Sequence, residues 1–163
     1  NTPGGTLNGV EISYQQPFKF LPGLLRNTGV LVNFTYVSSS IQYLNSAGVV
    51  IATNDLTGLS RRAYNATLYY EDEKISARVS AAYRSKYLTR VPGQETGTDV
   101  DGTNRTFNLD VSAQYTINSH LKLTFEAINL TDQFQDQFND SSNRLSFYHH
   151  TGREFLLGAR YTY

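Results

Sequence analysis

The chain has 163 residues, about one domain by length. Its 12 Tyr and 9 Phe stand against no Cys, Met or Trp, and the absence of Cys removes disulfides, thiolate chemistry and Cys-ligated metal sites together. The 14 basic and 14 acidic residues cancel, so nothing points to a nucleic-acid partner.

No apolar run approaches the ~20 residues that a transmembrane helix needs. Polarity instead alternates with a period of two, the signature of half-buried strands, and seven such strands are predicted. The first, from about Leu7 to Gln16, sets Val10, Ile12 and Tyr14 against Glu11, Ser13 and Gln15. Pro17 ends it, since proline cannot donate to a central ladder. The connection Phe18 to Arg26 turns at Pro22-Gly23 and is apolar enough to lie at a membrane surface. The second strand, Gly29 to about Ser39, puts Val30, Val32, Phe34 and Tyr36 on one face. Ile41 to Thr57 reads as a long polar connection with a small hairpin at Ala47-Gly48.

The third strand, about Ser60 to Glu71, carries Tyr64, Ala66, Leu68 and Tyr70 on one face, and a tight turn Glu71 to Lys74 follows. The fourth, Ile75 to about Tyr87, opposes Ile75, Ala77, Val79, Ala81 and Tyr83 to Ser76, Arg78, Ser80 and Arg84. Val91 to Thr103 is long, polar and rich in Gly and Asp. Strand five, Asn104 to Thr116, sets Phe107, Leu109, Val111, Ala113 and Tyr115 against Asn108, Asp110, Ser112 and Gln114. After the turn at Asn118-Ser119, strand six carries Leu123, Phe125 and Ala127 on one face; its parity slips at Ile128 to Leu130, a bulge or the strand's exit. Thr131 to Asn143 is a third long polar loop, and strand seven runs from near Phe147 to Tyr163.

Short turns near residues 71–74 and 117–120 thus alternate with long loops near 41–58, 88–103 and 131–143. Short turns on one rim and long loops on the other is the pattern of outer-membrane barrels. The last strand puts Phe155, Leu157, Ala159, Tyr161 and Tyr163 on one face. Its Gly158, Tyr161 and Tyr163 resemble the C-terminal assembly signal of bacterial outer-membrane proteins, a Gly followed by terminal aromatics at alternate positions. Seven is odd, however, and single-chain bacterial barrels have even strand numbers. Either a strand is hidden, with Ile41 to Thr57 the place for it, or the chain belongs to a larger barrel.

Five segments, in order along the chain, carry a family resemblance. They are Gly9-Val10-Glu11, Phe20 to Leu25, Tyr83 to Tyr87, Glu126-Ala127-Ile128-Asn129-Leu130-Thr131-Asp132, and Thr151-Gly152-Arg153-Glu154-Phe155. With them the chain resembles the C-terminal part of TonB-dependent outer-membrane receptors, in particular the group described from Caulobacter and Xanthomonas. It departs in ending on Tyr where that family more often has Phe. The resemblance implies an all-β fold: an antiparallel transmembrane barrel of ~22 strands with a plugged lumen, of which residues 1–163 supply about seven up-and-down strands. The plug domain and the earlier strands are then expected upstream. It also implies location in the bacterial outer membrane, insertion by the barrel-assembly machinery and coupling to the TonB system through the plug. Its function would be energy-coupled uptake of a scarce nutrient, an oligosaccharide or an iron-siderophore. No cofactor is expected.

Candidate ligand contacts lie in the long loops and the lumen, because loops on a rigid scaffold commonly carry recognition. They are Tyr43, Arg61 and Arg62 in the first loop, Arg84, Arg90, Asp99 and Asp101 around the second, and Gln133, Gln135, Phe138 and Asn139 in the third. Aromatics with amides suit sugars, and arginines suit carboxylated ligands. Arg78 and Arg84, continued by Lys86 and Arg90, read as a cross-strand ladder with Asp110 and Glu126 that organises the wall, or else as an electropositive path for an anion. Asp99 to Asn104 resembles a fragment of a calcium loop without its remaining carboxylates and Glu. His149 and His150 are adjacent on a strand and point to opposite faces. No Gly-x-Ser-x-Gly elbow, HExxH or phosphate loop is present, so no catalytic residue is expected. Two rivals stay open: a self-contained small barrel or porin, and a soluble β-sandwich carbohydrate-binding module.

Overall fold

A computed structural model describes residues 4–163. The chain is all-β, in the order β1 (Gly5–Pro17), β2 (Thr28–Leu44), β3 (Val50–Asn54), β4 (Arg62–Glu71), β5 (Ile75–Arg84), β6 (Tyr87–Arg90), β7 (Asp101–Thr103), β8 (Thr106–Thr116), β9 (Leu121–Ile128), β10 (Gln135–Asn139), β11 (Arg144–His149) and β12 (Glu154–Tyr161). One 3-10 turn, Gly23–Asn27, sits between β1 and β2.

The seven segments with clear alternation become seven antiparallel neighbours, β1-β2-β4-β5-β8-β9-β12, each strand paired with the one before it in this wall. The register brings their apolar positions onto one face. Ile12 lies opposite Phe34, Phe34 opposite Tyr64, Tyr64 opposite Tyr83 and Tyr83 opposite Phe107. A second row runs Val30, Leu68, Val79, Val111, Ala127, Phe155. The other face carries Asn33, Asn65, Ser80, Asn108, Asp110, Ser112 and Glu126 among its mostly polar side chains.

The apolar face is not covered. Leu68 is 53% exposed, Val79 42% and Leu157 83%, and the buried apolar residues of the described chain are Val100, Ala127 and Phe138. Along the strands this face is graded. Tyr36, Tyr64, Tyr83 and Phe107 stand at the long-loop end, Tyr14, Tyr70, Tyr115 and Tyr161 at the short-turn end, and aliphatic residues fill most of the span between, with Phe125 and Phe155 the exceptions. Tyr64 and Tyr83 stack, with ring centroids 4.6 Å apart.

The short turns are closed by carboxylate and amide side chains. Asp72 Oδ1 accepts the amides of Lys74 and Ile75 at 2.8 and 2.7 Å, and its other oxygen accepts the Tyr70 hydroxyl at 2.6 Å. The Tyr70 hydroxyl, then the two amides, hold the Asp72 carboxyl below its ordinary range. Asn118 Oδ1 likewise accepts the amides of His120 and Leu121, both at 2.9 Å.

The long loops hold more structure than their polarity suggests. The first is an extension of β2 folded back through Gly48, whose φ is +79°, into β3, as the hairpin reading expects. β3 pairs β2 off the path of the wall, so it is not an eighth wall strand. The second and third loops together build a separate four-stranded sheet, β11-β10-β7-β6. Two expected strand limits are corrected by it. Strand four stops at Arg84, and Tyr87–Arg90 joins the small sheet. Strand seven begins at Glu154 rather than near Phe147, because Arg144–His149 pairs with β10 and Gly152, at φ +81°, breaks the chain between them. The parity slip after Ile128 is the exit of β9, with Asn129 at φ +57°.

The wall is open. Among the described residues no strand pairs with the outer edge of β1 or of β12.

Candidate functional site

The small sheet stands at the long-loop rim on the polar side of the wall, and between the two lies a cleft of about 470 Å3. Its floor comes from the ends of β8 and β9, with Thr106, Asn108, Asp110 and Ile128; Thr103, Gln135 and His149 come from the small sheet; Phe134 and Thr151 come from the connections.

Hydrogen bonding within the cleft divides its groups in two. Arg84 is held by its Nε to Ser60 Oγ and by a terminal nitrogen to the Gly58 carbonyl, both at 2.7 Å, with its guanidinium 3.9 Å over the Tyr87 ring. Asp110 Oδ1 accepts the Asn129 amide at 2.8 Å. Gln133 Oε1 accepts the Phe107 amide at 2.9 Å, and Asn104 Nδ2 donates to Asp136 at 2.7 Å. These groups are occupied by structure. The side chains of Thr106, Asn108, Gln135, His149 and Thr151 line the cleft without a hydrogen bond to any described residue. Among the described residues, the single buried side-chain oxygen lacking a partner is Asp101 Oδ1, outside this cleft.

Asn129 ties the cleft's two flanks together. Its Oδ1 accepts the Gln133 amide at 2.7 Å, and its Nδ2 donates to the carbonyls of Gln133 and Gly152, both at 2.9 Å. Arg153 Nε reaches the Leu130 carbonyl at 3.1 Å. His150 lies 2.9 Å from Asp132, and Phe134 packs against Tyr148 with centroids 5.0 Å apart.

Of the ligand residues expected from sequence, Arg84, Gln133 and Gln135 meet in this cleft. Arg90, Asp101, Phe138 and Asn139 line a second cleft on the small sheet. Phe138 is 4% exposed and fills the core of that sheet against Gly102, where an added Cβ would overlap its ring; it is a packing residue rather than a ligand platform. Asn139 is buried as well. Asp99 caps the third loop by accepting the Ser141 amide at 2.9 Å. Its carboxyl is held below the ordinary range chiefly by the Ser141 hydroxyl, against an opposing effect of burial. Tyr43 donates to the Asp55 carbonyl at 2.8 Å, and Arg61 forms a two-point pair with Asp55 at 2.7 and 2.9 Å, which raises the arginine's pKa. Arg62 opens β4 opposite Tyr36, which places it on the apolar face at the rim and away from the cleft. Gly158 faces Thr124, Tyr161 pairs with Leu121, and Tyr163 is fully exposed beyond β12.

The cross-strand charge ladder is not formed. Register sets Arg78 opposite Ser112, Asp110 opposite Ser80 and Glu126 opposite Ser112, so each charge faces a serine. The ion pairs of the described residues, Arg61–Asp55, Arg144–Glu95, Arg144–Asp140 and His150–Asp132, lie outside the seven wall strands. No metal-binding cluster occurs among the described residues, and His120 caps the opposite rim through the Thr162 carbonyl.

Sequence reasoning missed Tyr87, Thr106, Asn108, Phe134, His149 and Thr151. The signal available for Asn108 and Thr106 was their place at the loop end of the polar face of strand five.

Comparison with known proteins gives no match: no family model fits the sequence, and no curated protein or solved structure is similar to it.

Proposed function

We propose that the chain is a section of the wall of a bacterial outer-membrane barrel of the TonB-dependent receptor type, and that it serves uptake of a nutrient ligand. The observation that carries the membrane part is the uncovered apolar face with its aromatic ends. A side chain such as Val or Leu gains about 1.5–3 kcal/mol when taken out of water, and each of the seven strands leaves apolar side chains at least partly exposed. In a bilayer they meet hydrocarbon. Aromatic girdles at two interfaces flanking an aliphatic band are the distribution that a membrane barrel requires.

The dimensions agree. Phe107 and Tyr115 stand eight residues apart on β8, so the stretch they bound matches the lower end of the about 9–11 residues that a tilted membrane strand needs. The unpaired outer edges of β1 and β12 favour a wall continued by further strands, because no open sheet edge is tolerated in lipid. The receptor assignment, its barrel of ~22 strands, its plug and its partners in assembly and energy transduction rest on the resemblance of five sequence segments.

A soluble sandwich needs a second sheet over Val79, Val111 and Leu157. The small sheet instead contributes to a cleft with the polar face. The discriminating experiment is fractionation of the source cell followed by an alkaline carbonate wash. The native product is expected to stay with the outer membrane and to change gel mobility on heating. Release into the wash without such a change would end the membrane reading.

A further inference from the structure

A row of cations stands just beyond the aromatic residues at the long-loop end of the apolar face. Tyr64, Tyr83 and Phe107 lie opposite one another across β4, β5 and β8. Two residues further toward the loops come Arg62, Ser85 and Arg105, about 7 Å beyond the aromatic row. Arg62 and Ser85 are joined directly: the Ser85 amide donates to the Arg62 carbonyl at 2.9 Å, and Ser85 Oγ accepts the Arg62 amide at 3.1 Å. Ser85 and Arg105 meet in a groove of about 490 Å3 that also takes in Lys86 and, from the apolar face, Tyr83.

These cations are exposed, and among the described residues none of the three is in an ion pair. Their neighbours are engaged: Arg61 is paired with Asp55, and Arg84 is bonded to Ser60 and Gly58 on the other side of the wall. The carboxylate of the groove, Asp136, accepts Asn104 Nδ2 and leaves the lining net positive. Unpaired cations at the margin of an uncovered apolar face suit an anion that carries an apolar tail. Arginine serves both parts, since its stem lies along apolar surface while its charged head stays at the polar level. Its planar fork can also take two oxygens of one phosphate.

We infer that this rim binds the phosphate of a membrane lipid in the leaflet on the long-loop side. Arg62 and Arg105 hold the phosphate oxygens, Lys86 adds charge, and the acyl chains lie along the apolar residues of β5 and β8 below Tyr83 and Phe107. A free anion uses the cations and leaves the apolar face uncovered. A lipid without net charge covers the face and leaves the cations unpaired. The inference rests on the membrane reading for what surrounds the wall; the preference for a phosphorylated lipid follows from the cation row itself.

The test uses the full-length native product in neutral-detergent micelles and equilibrium binding of fluorescent phosphatidic acid. Phosphatidylcholine with the same acyl chains and inorganic phosphate are the comparisons. Phosphatidic acid is expected to bind saturably and more tightly than either. The pair Arg62→Gln with Arg105→Gln should weaken it roughly 30-fold, at two lost cations beside the phosphate. Arg160→Gln with Lys122→Gln, which removes the same charge from the polar face, leaves it unchanged. Equal membrane yield and heat-shifted mobility of the variants exclude misfolding. The inference is overturned if phosphatidylcholine or inorganic phosphate binds as tightly as phosphatidic acid, or if the double variant at Arg62 and Arg105 binds like the parent. The carbonate wash judges the membrane reading separately: a product that stays in the membrane yet shows no preference for phosphatidic acid fails this inference alone, and release into the wash removes both.

Discussion

Asn129 adopts a left-handed backbone, which side chains other than Gly tolerate poorly but Asn accepts. Its amide side chain spans from the exit of β9 to the entry of β12, through the carbonyls of Gln133 and Gly152. This gives a physical account of two segments noticed in the sequence, Glu126 to Asp132 and Thr151 to Phe155, whose contact could not be read from their spacing. Asn129→Ala removes these bonds, strands the Gln133 amide and keeps an unfavourable φ. The expected cost is roughly 2–4 kcal/mol, measured by urea titration in detergent micelles. A change under about 1 kcal/mol would show that the latch is dispensable. Phe138 teaches the converse: an aromatic in a polar loop reads as a recognition residue, yet its burial against Gly102 makes it core.

For the elements, period-two polarity located all seven wall strands and their faces, because each strand sets at least three successive apolar side chains on one face. The strands of the small sheet were invisible as such. β7 spans three residues and β6 four, too short to display a period, and β7 finds its partner β10 only beyond two intervening wall strands. The cleft was therefore half legible: its polar floor lies on strands that could be read, and its other side on strands that could not. Strand β8 offers the test of facing. Val111 sits midway between Phe107 and Tyr115, in register with Val79 and Ala127, whereas Ser112 lies on the other face between Arg78 and Glu126. Val111→Arg should cost about 2–4 kcal/mol in a bilayer, and Ser112→Arg well under half of that, by chemical denaturation in lipid vesicles. Similar costs for the two would reverse or abolish the assigned faces.

At the scale of the molecule, the open wall sets what the native assembly must be. A sheet with two free edges, thirteen residues long at β1 and eight at β12, cannot stand alone in hydrocarbon. On the proposed membrane reading, the particle extracted in mild detergent is expected to be several-fold heavier than the 18.3 kDa of this chain, as one longer polypeptide or as an oligomer. Native mass spectrometry decides this, and a monodisperse particle of a single 18.3 kDa chain would contradict it.

The two sheets also differ in how they can be assembled in time. Every wall pairing joins strands that follow one another along the wall, and the hairpins β4–β5 and β8–β9 close over very short turns, so they can form first. The pairing of β7 with β10 instead brackets the whole β8–β9 hairpin. Its long closure becomes short only after that hairpin has zipped. The cleft at the long-loop rim is therefore a late product of folding, completed once the wall beneath it is in place.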